Sequence, residues 1–270
     1  MTIVTATTEP RPVQPRPAGF LADCAAIATR AIRAVPREPE VLVPALFVPM
    51  FFFFINIGAL QKLAEHSGRV SDFKAFQLPV AIIFAVTGVS RASALVTDIQ
   101  DGYFDRLLMT PVRRLALLLG LMAADFAVVC GLTIPVLILG FLVGVRFPTG
   151  VGGVLLFILM GGLWGLAFTG FPYAIALKTG NPAAVNTSFI LFFPFAFLTT
   201  SFLPKAALSG WLATIADYNP VTYLLVGMRS LVLHGWDVGA IVEGLGAIFG
   251  VGIASVTLAL LALRGRLRPA

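Results

Sequence analysis

The side chains in this sequence that could do chemistry in an apolar setting fall into two sets. The first is the run 97–114, TDIQDGYFDRLLMTPVRR, which sets Asp98, Asp101, Asp105, Arg106, Arg113 and Arg114 between two long apolar stretches. Charges at that density face water or a partner, because burying them unpaired in hydrocarbon is prohibitive. The second set is Arg91 and Asp125, each lodged within an apolar stretch. Asp125 reads either as a polar element of a translocation path or proton site, or as half of an inter-span ion pair with Arg91. One isolated acid does not make a proton relay, so the pair is the preferred reading. Arg91 also lies within two turns of Asp98, where its long side chain can snorkel to the inner interface. No G-x-x-x-x-G-K-[ST] loop, no HExxH, no paired intramembrane carboxylates and no Ser with a plausible His base occur. Cys24, Cys130 and His234 lack metal-type spacing. The expectation is a non-catalytic chain that binds no cofactor and draws its energy from outside itself.

Those residues need a membrane-spanning frame. With 58% hydrophobic and only 12% charged residues, and a mean hydropathy of +0.94, a chain of 270 residues has too little charge to cover a soluble surface. A soluble all-helical core is the poorer reading. The net charge of +6 is spread over short segments, which argues against a nucleic-acid patch. Residues 1–18, with Pro10, Pro12, Pro15 and Pro17, are expected to be a flexible tail without a signal peptide. Residues 19–38 predict an amphipathic helix: Phe20, Cys24, Ile27, Ala31 and Val35 recur every three or four places, opposite Asp23, Arg30, Arg33 and Arg37. The basic face favours a place among lipid headgroups over packing on the protein itself.

Residues 39–270 then form a six-span membrane domain. Spans are predicted at 41–60, 76–96, 115–143, 151–175, 186–202 and 237–263, near the roughly 20 residues that cross about 30 Å of hydrocarbon. Pro44 and Pro49 should kink the first span. The consecutive Phe51 to Phe54 cannot share a helix face and suit lipid contact and packing better than substrate contact. Gly161 with Gly165, and Gly140 with Gly144, have the spacing that lets helices approach closely. Within 97–114, Ile99, Phe104, Leu107 and Leu108 can share one face, with Asp98, Asp101, Asp105 and Arg106 on the other. Thr97 with Gln100 has capping-box spacing for the start of that helix, and Thr110-Pro111 reads as the start of the next span. Six spans put both ends on one side. That side would hold Arg11, Arg16, Arg30, Arg33, Arg37, Arg106, Arg113, Arg114, Lys178, Arg264, Arg266 and Arg268; the other would hold Lys62, Arg69, Lys74, Arg146, Lys205 and Arg229. The positive-inside rule then puts both termini and the 97–110 helix in the cytoplasm.

The stretch 98–120, with Asp101, Gly102, Arg106, Leu107, Leu108, Thr110, Pro111 and Arg113, resembles the loop between the second and third spans of type-2 ATP-binding-cassette (ABC) exporter permeases. A second stretch, 202–235, with Leu203-Pro204, Gly210-Trp211-Leu212, Asn219-Pro220-Val221-Thr222-Tyr223 and Arg229, is similar to that family's outer segment before the last span. The likeness covers most of the chain after Phe76 and is nearest to the daunorubicin-resistance type. Asp101 stands where that family often has Glu, and Tyr103 where it often has Thr. The resemblance implies an all-α polytopic fold: six transmembrane helices, an N-terminal interfacial helix, a cytoplasmic coupling helix at 97–110 and outer re-entrant helices at 203–236. It implies a permease half that pairs with an identical or related half and is driven by two copies of a cytoplasmic ABC ATPase, with ATP and Mg held on that partner.

On this reading Phe104, Leu107 and Leu108 fill a cleft in the ATPase, and Asp98, Asp101, Gly102, Asp105 and Arg106 set its orientation at the rim. The implied cargo is a hydrophobic or amphipathic drug, lipid or glycolipid, exported across the plasma (inner) membrane along a path the sequence does not single out. Membrane lipids, and no nucleic acid, complete the partners. The rival is an ion-gradient-driven secondary transporter, which wants internal repeats and broken helices around ionisable residues at mid-membrane. No convincing repeat relates the two halves, and Asp125 stands alone.

Overall fold

Caps and prolines set where the apolar runs start and stop. In the computed structural model, which describes residues 19–37, 39–66, 68, 70–103, 106, 109 and 114–266, every regular element is helical. In chain order these are α1 (Phe20–Ala34), α2 (Pro39–His66), α3 (Phe73–Thr87), α4 (Ala92–Gln100), α5 (Arg114–Leu142), α6 (Gly150–Thr179), α7 (Pro182–Thr187), α8 (Phe192–Phe197), α9 (Gly210–Tyr218), α10 (Pro220–Arg229) and α11 (Val238–Arg266). Asp72 starts α3 by accepting from the N–H groups of Lys74 and Ala75 at 2.9 and 3.1 Å. Asn181 and Asn219 cap α7 and α10 in the same way, each followed by a proline whose missing N–H costs nothing in a first turn. Gly180, at φ 59°, supplies the left-handed turn that ends α6.

Among the described residues, five stretches are long and apolar enough to cross a membrane: Leu42–His66, Phe73–Gln100, Leu115–Leu142, Gly150–Thr179 and Val238–Arg266. Where the sequence predicts a span at 186–202 there is a shorter apolar segment, Pro182–Phe197, divided into α7, a 3-10 turn at Ser188–Leu191, and α8. Pro194 has no N–H to continue a helix arriving from the preceding turn, so the chain restarts with Pro194 inside the first turn of α8. The second predicted span, 76–96, is also interrupted. It breaks between Thr87 and Ala92, where the Ser90 hydroxyl accepts from the Ala92 N–H at 3.1 Å and begins α4. Thr97 is therefore interior to α4 and does not start a helix; its hydroxyl donates back to the Ser93 carbonyl.

The core gathers around α3, α5 and α6, joined by Phe53 from α2, Leu224 and Met228 from α10, and Ile248 from α11. A second cluster near the end of the bundle that carries Arg266 holds Leu95 and Ile99 of α4, Leu117 and Leu121 of α5, and Tyr173 of α6. Small residues set the closest approaches. A Cβ at Gly165 would stand 2.6 Å from Val129, one at Gly161 3.1 Å from Ile82, and one at Gly140 2.8 Å from Leu78. Gly144 packs against nothing within 4 Å; it turns the chain at φ 98°. Helix α1 lays one face, with Ile27 and Ala31, on α5 and leaves Leu21 and Ile32 exposed. Gly120 of α5 lets it in so closely that a Cβ there would lie 2.9 Å from Ile27 and 3.0 Å from the Cys24 carbonyl oxygen. Ala31 is buried in that contact, while Arg33 and Arg37 stay exposed.

Candidate functional site

Helix α4 carries the first set of charged residues to the Arg266 end of the bundle. Its apolar residues Leu95, Val96 and Ile99 are buried, which leaves Asp98 and Asp101 toward the rim. Asp98 accepts from the Arg30 guanidinium of α1 at 3.0 Å, and the same guanidinium lies 4.2 Å from the centre of the Tyr103 ring. Gln100 donates to the carbonyl of Gly180 at 2.9 Å, tying the end of α4 to the end of α6. The chain then turns at Gly102, φ 68°, and its carbonyl accepts from the Arg106 N–H at 3.2 Å. Arg106 and Met109 are exposed. Asp98, Asp101, Gly102 and Arg106 thus share one edge; Phe104, Asp105, Leu107 and Leu108 lie outside the described residues.

Asp125 of α5 is fully buried. Its carboxylate accepts from the backbone N–H of Arg91 at 2.9 Å and from the Tyr173 hydroxyl at 2.8 Å. A contact between the two residues singled out as a pair therefore runs through the main chain at the break between α3 and α4. That position suits a carboxylate, since the first N–H groups of a helix lack intrahelical partners and carry partial positive charge. Beside it, the Trp164 ring N–H donates to the Thr87 hydroxyl at 2.9 Å, fastening the last turn of α3 to α6.

A cavity of about 410 Å³ opens between α2, α3 and the broken segment α7–α8. Val48, Phe52 and Asn56 face it from α2, Gln77, Ala81 and Phe84 from α3, and Phe189, Phe193 and Phe197 from the broken segment. Gly88 and Ser90 of the break and Ser93 of α4 line its other end, and among the described residues no charged side chain borders it. Its aromatic wall is braced edge to face: Phe84 sits 5.4 Å from Phe192 and 5.9 Å from Phe197, ring centre to ring centre. Phe52 and Phe53, which the sequence assigns to lipid contact and packing, both line this cavity, and Phe53 is buried.

Between Phe197 and Phe202, which both border the cavity, runs irregular backbone that two side chains hold in place. Asn219 donates to the carbonyls of Phe195 and Leu198, each at 2.9 Å. Arg229 donates to the carbonyl of Phe76 at 3.1 Å, the Thr200 hydroxyl at 3.2 Å and the Ser201 carbonyl at 3.2 Å, with its guanidinium 3.5 Å from the centre of the Phe76 ring. These bonds satisfy carbonyls that an unwound segment would otherwise bury unpaired. Sequence reasoning did not single out Gln77, Tyr173 or Phe189 as site residues. A lone amide within the apolar run 75–87 was the available signal for Gln77; nothing in the spacing marked the other two.

Residues 22–233 match the family described as ABC-2 type transporter. The daunorubicin resistance ABC transporter permease protein DrrB1 of Streptomyces coeruleorubidus is 30% identical over 222 residues, 77% of this chain and 75% of that protein. A probable doxorubicin resistance ABC transporter permease protein, DrrC of Mycobacterium tuberculosis, is 23% identical over 217 residues, 80% of this chain and 79% of the relative.

Proposed function

This chain belongs to the ABC-2 type transporter family as a non-catalytic permease subunit, and from that premise we propose that it forms half of the membrane path of an exporter for hydrophobic or amphipathic molecules. Permeases of this family generally work with a cytoplasmic ATPase and dimerise. Here two copies of such an ATPase, holding ATP and Mg, would grip the 97–110 region of two permease halves, identical or related. The residues that dock it are Asp98, Asp101, Gly102, Phe104, Asp105, Arg106, Leu107 and Leu108. The chain lies in the plasma membrane with both termini in the cytoplasm, in keeping with its arginine distribution.

The observation that carries the transport reading is the uncharged, phenylalanine-walled cavity and its connection to the α4 edge. Helix α4 has nine residues, about 14 Å at 1.5 Å per residue. Asp98 and Asp101 stand near its free end, and Ser93, one residue into it, borders the cavity. A push on the free end is delivered to the break at Gly88 and Ser90, where α3 and α4 can change their relative angle as rigid pieces. Cavity shape then follows the motion of the ATPase. Asp125 belongs to this mechanism as a structural anchor with Arg91, holding the break against α5 and α6.

Transport into inverted membrane vesicles containing the chain and its co-expressed partners tests this. Accumulation of a hydrophobic dye should stop with a nonhydrolysable ATP analogue and survive an ionophore. The reverse pattern would establish the ion-gradient carrier.

A further inference from the structure

The inference rests on the transport reading and concerns what the cavity holds. An ion entering it would give up its hydration and meet no opposite charge, because among the described residues no acidic or basic side chain borders the space. Phenylalanine rings instead offer flat apolar surface. Several polar groups along the wall are already engaged. The Thr87 hydroxyl donates to the Ile83 carbonyl at 2.5 Å and accepts from Trp164, and the Ser93 hydroxyl donates to Asn186 at 2.9 Å. Gln77 differs. It is 1% exposed, it borders the cavity, and its amide nitrogen has no hydrogen-bond partner among the described residues. Buried side-chain donors nearly always have an acceptor.

Gln77 also sits next to a fixed point, since the carbonyl of Phe76 is held by Arg229. The amide is therefore carried on backbone that is anchored at its outer end, as a recognition group must be. We propose that Gln77 is the specificity-determining contact of this cavity, and that the site takes uncharged, flat, ring-containing molecules bearing a carbonyl oxygen. The rings lie among Phe84, Phe189 and Phe197, and the oxygen accepts from the Gln77 amide after rotation about its terminal side-chain bond.

Fluorene and fluorenone, two flat tricyclic probes that differ by one carbonyl group, test this with the permease and its co-purified ATPase in lipid nanodiscs. Binding is measured by equilibrium dialysis of the radiolabelled probes, with empty nanodiscs subtracted. The wild-type complex should retain fluorenone about tenfold more tightly than fluorene, the size of one hydrogen bond made in a dry site. Gln77→Leu should remove that preference by weakening fluorenone alone. It should leave the melting temperature equal or higher, because it deletes an unpaired buried amide. Val48→Trp, which fills the space from the half-exposed α2 face, should weaken both probes. A preference that persists in Gln77→Leu while Val48→Trp weakens both probes overturns the role of Gln77 and leaves the cavity standing as the transport path. Equal binding of both probes by the wild type overturns it too. Unchanged binding of both probes in Val48→Trp overturns the cavity reading itself.

Discussion

Two walls of this bundle are built by opposite rules. Between α6 and α11 the backbones nearly touch: a Cβ at Gly170 would stand 2.5 Å from the main chain of Ser255, and the Ser255 hydroxyl donates to the carbonyl of Ala167. Around the cavity, α2 and the broken α7–α8 segment meet α3 through phenylalanine rings, with three prolines, Pro44, Pro49 and Pro172, among the residues that border the space. Close packing of small residues leaves no alternative arrangement, whereas rings on interrupted helices can repack at low cost. The contrast assigns rigidity to the α6–α11 seam and motion to the α2–α3–α8 side.

Breaking the seam should have the largest effect. Gly170→Leu drives a side chain into the Ser255 backbone, and a loss of about 3 kcal/mol or more is expected, read as loss of the monodisperse peak in detergent. Phe189→Ala on the open wall should keep near-normal yield and change transport instead. Equal loss of yield in both variants would erase the distinction. Next comes the anchor at the break. Asp125→Asn weakens two hydrogen bonds to a buried carboxylate, worth about 1.5–3 kcal/mol for bonds to a charged group, so folded yield should fall while transport per folded molecule persists. Arg91→Gln should also lower yield. Full yield with lost transport in Asp125→Asn would turn the anchor into a functional acid.

A smaller effect is expected at the outer end, where Arg229→Lys keeps the charge and loses the planar fork that reaches Phe76, Thr200 and Ser201 together. Transport should drop several-fold, with the spans still folded by circular dichroism. The smallest belongs to Lys205, exposed and 2.6 Å from Asp217. Its hydrogen bond to that carboxylate raises the ammonium pKa above its ordinary value. A raised folded-state pKa contributes stability below the unfolded value of about 10.4 and loses it as pH climbs through the folded one. Lys205→Ala should therefore lower the melting temperature only slightly at pH 7, because solvent screens an exposed pair, and not at all above pH 11.

Much of this architecture was legible in composition and apolar run length. Long apolar runs with sparse charge require membrane helices, and five of them emerge close to the predicted spans. The breaks were not legible. Ser90 reads as an ordinary residue within an apolar run until its hydroxyl is seen to accept from the first N–H of α4, and the division of 182–197 depends on where Pro194 falls within a turn. The amphipathic pattern of α1 was visible, but its partner was not, since Gly120 reveals itself as a docking surface only when α5 is beside it. Of the proposed docking edge, Asp98, Asp101 and Arg106 were singled out by their charge, the helical pattern around them and the resemblance of the 98–120 stretch. The cavity was missed because a phenylalanine facing lipid and one facing a space have the same sequence signature, and tertiary contact decides between them.

The central claim is that a separate ATPase drives this permease through the 97–110 region. Co-purification after co-expression with the partner ATPase, comparing wild type with Phe104→Asp, tests it most directly. The ATPase should elute with the wild-type chain and be absent from the variant, whose spans remain folded and monodisperse. An ATPase that elutes equally with both chains, with transport unimpaired, would contradict the account.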